Sequence, residues 1–550
     1  MSERNSQRNQ AAMVNTKHGL LNASASVGSM TMLSRVMGLL RDIVIARFFG
    51  ASDNADAFFV AFRIPQFLRR LFAEGAFAQA FVPVLAEYRN AKTEQGQLAA
   101  VQALVNAVSG VLGGSLLLIS ALVVMAAPLV TMLFAPGFIN QPEKLALTTQ
   151  MLRITFPYLL LISLTGFAGA ILNSYQRFLV PAFTPVLLNF SLIGFALWVS
   201  PHLSVPVFAL AWAVLFAGFA QLLFQLPFLA RLDLLPRPKF NRHHPGVRKI
   251  LKLMLPAIFG VSVSQINLLL DTVLASFLPS GSVSWLYYSD RLAELPLGVF
   301  GIAIATVILP SLSRLQLGAS AGGGSDNLAQ RELHFSQTLS WALRSIVVVA
   351  LPATAALWML AEPILFMLFQ YQATTAHDVL MSAASLRAYA LGLFAFMAIK
   401  VLASAFYAQQ DMRTPVKIGV IAMVVNMLLN LLFVALFHRY WTMGHVGLAL
   451  ATACSALLNA GLLYHHLARN IATKAILDSQ FWRIAWRVVF ATAVMTSLLG
   501  WLVPGAEHWQ QTALSQRLLA VSSYCVLGLG TYLLVLFASG VRWSDFRGDH

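Results

Sequence analysis

Arginine at membrane depth is the feature of this sequence that could do chemistry. Residues 34–87 read SRVMGLLRDIVIARFFGASDNADAFFVAFRIPQFLRRLFAEGAFAQAFVPVLAE, a mostly apolar stretch that carries Arg35, Arg41, Asp42, Arg47, Asp56, Arg63, Arg69, Arg70 and Glu74. One charged residue near the bilayer centre costs about 2.5–3.5 kcal/mol on insertion scales. Several in one stretch are expected to face a watery cavity instead of lipid. A guanidinium presents a planar fork of donors that matches phosphate oxygens. The excess of arginine therefore points to an anionic cargo.

Helical spacing sorts these groups. Arg35, Gly38, Arg41 and Asp42 fall within about a third of a helix circumference, and Gly38 keeps that face open. The plainer alternative is an Arg35–Asp42 pair, with Arg41 reaching an interface. Arg70 and Glu74 are spaced to pair on one helix face; Arg69 points away and is expected to lack a local partner, which makes it the better anion ligand. Asp56 opens the same helix, where a negative charge also suits the dipole. Further on, YYSDRLAELPLG (287–298) brings Asp290, Arg291 and Glu294 together, with Ser284 and Tyr288 on the same helix. Arg291 is expected to be half-neutralised by its neighbours and still offer its fork. Arg35, Arg41, Arg69 and Arg291 are thus the expected anion ligands. Asp42, Asp56, Arg70, Glu74, Ser284, Asp290, Glu294 and, more remotely, Lys400 are the expected cavity or gating groups. Arg153, Arg344 and Arg387 also fall in apolar runs, where some could reach an interface.

A second constellation is built from oxygen. Asp271 lies in INLLLDTVLASF, Asn426 and Asn430 are one turn apart in VVNMLLNLLF, and Thr452 follows in GLALATA. Converging oxygens could hold a small cation such as sodium; interhelical hydrogen bonding by Asn and Thr is the alternative. No other cofactor is expected. The sequence has no HExxH, Walker or G-x-S-x-G pattern, so an enzyme is disfavoured. The two cysteines, Cys454 and Cys525, lie in apolar runs and suggest neither a disulfide nor a metal site.

The elements that must position these groups are membrane helices. Of 550 residues, 58% are hydrophobic and 11% charged, with mean hydropathy +0.72, against about 25% charged in soluble domains. The fold class is all-α and polytopic, with about fourteen crossings of roughly twenty residues each. They are expected at 21–49, 56–87, 100–134, 146–173, 179–200, 205–230, 249–277, 283–313, 335–369, 379–408, 416–437, 445–468, 482–503 and 516–540. Prolines 65 and 83, and 296 and 310, should bend the second and eighth. The net charge of +16 suits cytoplasmic loops meeting anionic headgroups rather than nucleic acid, for which no motif is present. Alternate loops are basic, which places both termini in the cytoplasm; Lys144, Arg439 and Arg517 are exceptions. No cleaved signal is expected.

An internal repeat at a spacing of about 230 residues marks two homologous halves. AFAQAFVPVLAEY (76–88) resembles IAIATVILPSLSR (302–314), and ILNSYQRFLVPAF (171–183) resembles SAFYAQQDMRTPVK (404–417). The expected organisation is a cytoplasmic tail (1–20), a six-helix half (21–230), a basic cytoplasmic linker (231–248), a second six-helix half (249–468), a linker (469–481), two extra helices (482–540) and a cytoplasmic tail (541–550). Duplicated halves around a midplane site are typical of transporters.

Five segments carry a family resemblance: SMTMLSRVMGLLRD (29–42), DAFFVAFRIPQFLRRLFAEGAFAQAFVPVLAEY (56–88), ITFPYLLLISL (154–164), GVSVSQINLLLDTVLASFLPSGSVSWLYYSDRLAELPLGV (260–299) and QQDMRTPVKI (409–418). Together they resemble the MurJ (MviN) lipid II flippases of the multidrug/oligosaccharidyl-lipid/polysaccharide exporter superfamily, over about residues 22–540. The resemblance implies movement of lipid II, an undecaprenyl-pyrophosphate-linked disaccharide-pentapeptide, from the inner to the outer leaflet of a bacterial cytoplasmic membrane for peptidoglycan synthesis. It implies pyrophosphate ligands at Arg35, Arg41, Arg69 and Arg291, acidic cavity residues at Asp56 and Glu74, and a lipid-tail groove on the extra helices. It also implies a sodium site at Asp271, Asn426, Asn430 and Thr452, where Asn430 stands in place of a stronger carboxylate. Membrane lipids are expected partners, and cell-wall synthesis or division proteins are candidates. Alternating access, reset by the membrane potential, is the expected mode. A cationic-drug exporter would want acids where arginine dominates here. A flippase for another polyprenyl-pyrophosphate oligosaccharide is the harder rival, and a transferase or a division scaffold fits less well.

Overall fold

The computed structural model describes residues 28–70, 77–89, 94–301, 304, 308–309, 311–313, 325–470 and 476–542. Every regular element among them is helical. Apolar runs of this length must satisfy their own backbone groups in hydrocarbon, and a helix does so within one segment.

The chain divides into two compact units. One holds the chain up to Phe49 and Asp53–Gln265; the other holds Gly50–Ser52 and the chain from Ile266 onward. The first contains helices at 28–49, Asp53–Arg69, Phe77–Arg89, Glu94–Met125, Ala127–Phe134, Pro142–Thr155, Tyr158–Ser174, Leu179–Gly194 and Phe208–Ala230, and the start of Pro245–Ala275. Its core includes Phe77, Phe81 and Phe167, with ring centroids 5.1–5.9 Å apart. The second unit contains Ser282–Pro296, Ser325–Phe369, Ala376–Leu391, Leu393–Ala408, Arg413–Trp441, Gly444–Asn470, Ser479–Leu502, Ala506–Gln511 and Leu514–Ala538.

Nine helices among the described residues are long and apolar enough to cross a membrane, and the bent pair Ala376–Leu391 and Leu393–Ala408 would make ten. The count of about fourteen is not reproduced by that measure. The four remaining expected crossings, at 21–49, 56–87, 249–277 and 283–313, fall on helices that are short or rich in charge, or extend beyond the described residues. Asp53–Arg69 and Ser282–Pro296, which carry Asp56, Arg69 and Arg291, are 17 and 15 residues long, and Asp271 lies in the short apolar stretch Gln265–Ala275. Pro65 lies inside an unbroken helix, whereas Pro296 is followed by a π-turn at Leu297–Gly301. Such turns are frequent near functional sites.

The repeat is visible as one local geometry found in both units. Gln176 and Gln410 both adopt left-handed backbone, with φ of 59° and 61°. In each case the following amide reaches back to close the preceding helix: Arg177 N to Leu172 O at 2.9 Å, and Asp411 N to Phe406 O at 3.0 Å. This is a helix-terminating motif that usually takes glycine. Pro181 and Pro415 then each occupy the third residue of the next helix, where a missing N–H does no harm.

The last two long helices pack along Ser325–Phe369. Tyr532 Oη donates to Val348 O at 2.7 Å, and Arg517 Nη1 donates to Phe366 O at 3.0 Å. Arg517, an exception to the loop-charge pattern, is thus a buried clamp on the end of a neighbouring helix.

Candidate functional site

In the first unit, helix 28–49 carries Arg35, Arg41 and Arg47, and the first two have different surroundings. Arg35 is half-buried and has no hydrogen bond or ion pair among the described residues. Arg41 is buried. Its Nε and Nη2 donate to Asp42 Oδ1 at 2.9 and 2.7 Å, and its Nη1 donates to Asn189 Oδ1 at 3.1 Å. Asp42 is 2% exposed. The same Asn189 donates through Nδ2 to Ser34 O at 3.1 Å, so one amide grips two successive parts of the helix. Gly38 lies between them; a Cβ there would meet Asn189 Nδ2 at 3.9 Å. The open face that the glycine provides is occupied by this side chain.

Asp56 is 1% exposed and forms an ion pair with Lys144 at 3.0 Å; Lys144 also holds Asp53 at 2.6 Å and lies over the Phe138 ring. Sequence reading saw Lys144 only as a basic exception in a loop. Asn189 was missed as a lone amide in an apolar run. Nothing in either local pattern reports a partner roughly ninety or a hundred and fifty residues away. Arg69 and Arg70 are half-buried, and both have interacting neighbours, which differs from the isolated Arg69 expected. Glu74 lies outside the described residues, as do the 1–20 tail and most of 302–324.

In the second unit, Arg291 is half-buried, pairs with the exposed Glu294 at 3.1 Å and lies over the Tyr287 ring at 5.1 Å. The half-neutralised fork expected from spacing is present, and Asp290 also has an interacting neighbour. Ser284 is fully buried, and Tyr288 Oη donates to Gly50 O at 3.0 Å. Lys400 and Arg153 are exposed. Arg344 is buried against Ser340 O, and Arg387 pairs with Glu362 at 2.8 Å.

The four residues of the oxygen constellation meet, and they do so through hydrogen bonds between helices, the alternative reading of the same residues. Asn430 Nδ2 donates to Asp271 Oδ1 at 2.7 Å and to Asn426 Oδ1 at 2.9 Å; Asn426 Nδ2 donates to Thr452 Oγ1 at 3.5 Å. Both asparagines are fully buried. Asn430 Oδ1 is buried without a hydrogen-bond partner among the described residues. One carboxylate, two amides and a hydroxyl are oxygen donors suited to an alkali cation, and the orphaned amide oxygen fits that use. No group of three His, Cys, Asp or Glu side chains among the described residues could hold a metal ion.

Comparison with known proteins supplies the remaining observation. A family model described as Lipid II flippase MurJ matches residues 45–524. A Vibrio cholerae protein named probable lipid II flippase MurJ is 45% identical over 96% of this chain and 98% of its own length. A Burkholderia cenocepacia protein named lipid II flippase MurJ is 41% identical over 96% of this chain and 99% of its own. A solved structure of a lipid II flippase MurJ in an inward closed conformation has a TM-score of 0.75 at 24% identity, covering 92% of this chain and 97% of that one. An inward-facing MATE family transporter of the MOP superfamily has a TM-score of 0.58 at 14% identity, covering 81% and 98%. These two likenesses concern the fold.

Proposed function

The chain belongs to the lipid II flippase MurJ family, and from that membership we propose that it moves lipid II from the inner to the outer leaflet of the cytoplasmic membrane. The observation that carries this reading is 45% identity along 96% of the chain with a relative of that name. The activity is transport, with no bond made or broken in the cargo. The protein is a multi-pass membrane protein, and the alternation of basic loops supports both termini in the cytoplasm.

The chemistry of the arginines supports the cargo. Arg35, Arg69 and Arg291 are the proposed headgroup ligands: all three are half-buried. A guanidinium meets a pyrophosphate through paired charge-assisted bonds, which gain strength where water is scarce. The polyprenyl tail stays in lipid, so only the headgroup must be housed. Arg41 is held by Asp42 and Asn189; its part is to fix helix 28–49. The internal repeat supports alternating access as the mode of movement. An inward-negative potential acts on the emptied cationic site with about 2.3 kcal/mol per charge per 100 mV, which supports potential-driven reset. Asp271, Asn426, Asn430 and Thr452 would hold a sodium ion as the coupling or structural ion. Asp271→Ala should abolish any sodium dependence of transport.

Depletion of the protein in growing cells, with lipid II assayed by leaflet, tests the function. Lipid II should accumulate in the inner leaflet and vanish from the outer one. Unchanged outer-leaflet lipid II after depletion would overturn the reading.

A further inference from the structure

The geometry of the first unit points to a binding site for an anionic bilayer phospholipid, one acyl chain of which enters the helix bundle. A cavity of about 340 Å³ lies among the helices of this unit, walled by Leu68, Val111, Leu112, Leu116, Leu159 and Met254. Its volume is about twice the ~150 Å³ of an engineered apolar cavity that takes benzene, and that smaller cavity stays dry. It also reaches the ~300 Å³ at which ligand pockets begin.

The walls are apolar: twelve of the fourteen lining residues are apolar and two are serines. A buried water needs about two to four polar partners. The cavity offers two hydroxyls, and Ser115 Oγ is already bonded to Val111 O at 2.7 Å and Leu112 O at 3.1 Å. Ser163 Oγ, on a residue 2% exposed, is left without a partner among the described residues. An apolar space of this size suits hydrocarbon. Two lining residues, Ile119 and Leu251, are themselves exposed, so the space opens to the surroundings of the unit. Next to it on helix Glu94–Met125, Leu117, Leu118 and Leu122 are exposed, a surface suited to lipid.

The surroundings of the mouth are cationic. Arg248 stands one turn before Leu251 and Lys252 directly follows it; both are exposed, and neither pairs with a carboxylate among the described residues. Lys249 is already held by Glu87 at 2.6 Å. A strap with exposed Arg237, Lys239 and Arg242 crosses helix Glu94–Met125, tied down by Arg237 N to Asn106 Oδ1 at 2.7 Å and Lys239 N to Asn106 O at 3.0 Å. An apolar slot beside uncompensated cations matches an acyl chain under a phosphate headgroup. The volume accommodates part of an acyl chain and only a small fraction of a polyprenyl tail, which favours the phospholipid. The inference stands apart from the transport reading, because it concerns equilibrium binding.

Native mass spectrometry of the purified full-length protein tests it, after delipidation and titration with phosphatidylglycerol, phosphatidylethanolamine or undecaprenyl phosphate. The wild type should retain one phosphatidylglycerol. Leu116→Trp, which fills the slot, should weaken that retention by about tenfold or more. The surface pair Arg248→Gln with Lys252→Gln, which does not touch the packing, should remove the preference for phosphatidylglycerol over phosphatidylethanolamine. The proposal is overturned if that surface pair keeps the preference, if a folded Leu116→Trp protein retains the lipid as the wild type does, or if undecaprenyl phosphate displaces phosphatidylglycerol from the site.

Discussion

Replacing Arg41 with methionine keeps much of the side chain's length and removes its charge. Asp42 is then left 2% exposed without its guanidinium. At the observed 2.7 Å, an effective dielectric of about 20 gives a Coulomb attraction of about 6 kcal/mol. Desolvation of the two ions offsets part of this, and removing one partner of a buried pair costs about 3–5 kcal/mol in practice. The lost bond to Asn189 is included in that range. We expect Arg41→Met to lower unfolding stability in detergent micelles by about 3–5 kcal/mol. The double variant Arg41→Met with Asp42→Leu should recover most of the loss, because no buried charge is left behind. Arg35→Met should change stability by no more than about 0.5 kcal/mol, because that side chain has no partner among the described residues, and yet abolish transport. Equilibrium unfolding of the four proteins by tryptophan fluorescence decides it. An Arg41→Met protein as stable as wild type, or a double variant as weak as the single one, would refute the reasoning.

Lys144→Met should destabilise by about 3 kcal/mol or more through the buried Asp56, whereas Asp53→Asn should cost at most about 1 kcal/mol because Asp53 is 56% exposed; the same unfolding measurement compares them. Gly447→Val should separate helices Arg413–Trp441 and Gly444–Asn470, since an added Cβ would meet Phe433 C and O at 2.7 Å; a disulfide engineered across the two helices should form more slowly in that variant. Asp411 accepts from Arg413 N at 2.9 Å and Thr414 N at 3.0 Å. Hydrogen bonds from Thr414 first, then from Arg413, hold its carboxyl below the usual range. A lowered value means that its contribution is present above the ordinary carboxyl range near ~4 and fades as pH falls below it. Hydrogen exchange in the first turn of Arg413–Trp441, corrected for intrinsic rates, should rise between pH 6 and pH 3 in wild type and stay level in Asp411→Asn.

Local spacing carried the parts of the site that lie along one helix or repeat in two. Asn426 and Asn430 share a face one turn apart, and the structure brings Asp271 and Thr452 to them. The Gln-containing turns at 176 and 410 close their helices alike, as the repeated segments suggested. Arg41 shows the limit. Adjacent helix residues diverge by about 100°, so periodicity offered Arg35 as the partner of Asp42. The long arginine stem instead folds back one residue, and Asn189 fixes it from another helix. Lys144 was equally opaque, because its meaning depends on two carboxylates about ninety residues earlier. Helix count differs because a hydropathy run is read as one crossing, whereas Asp53–Arg69 and Ser282–Pro296 are short helices of 17 and 15 residues.

Flipping of fluorescent lipid II by the purified protein in proteoliposomes, read as the fraction open to a membrane-impermeant quencher, tests the central claim most directly. Wild type should expose the lipid on both faces, and Arg35→Ala, Arg69→Ala and Arg291→Ala should each leave it on one face while inserting normally. Wild-type flipping by all three variants would contradict the assignment of these guanidinium groups to the diphosphate.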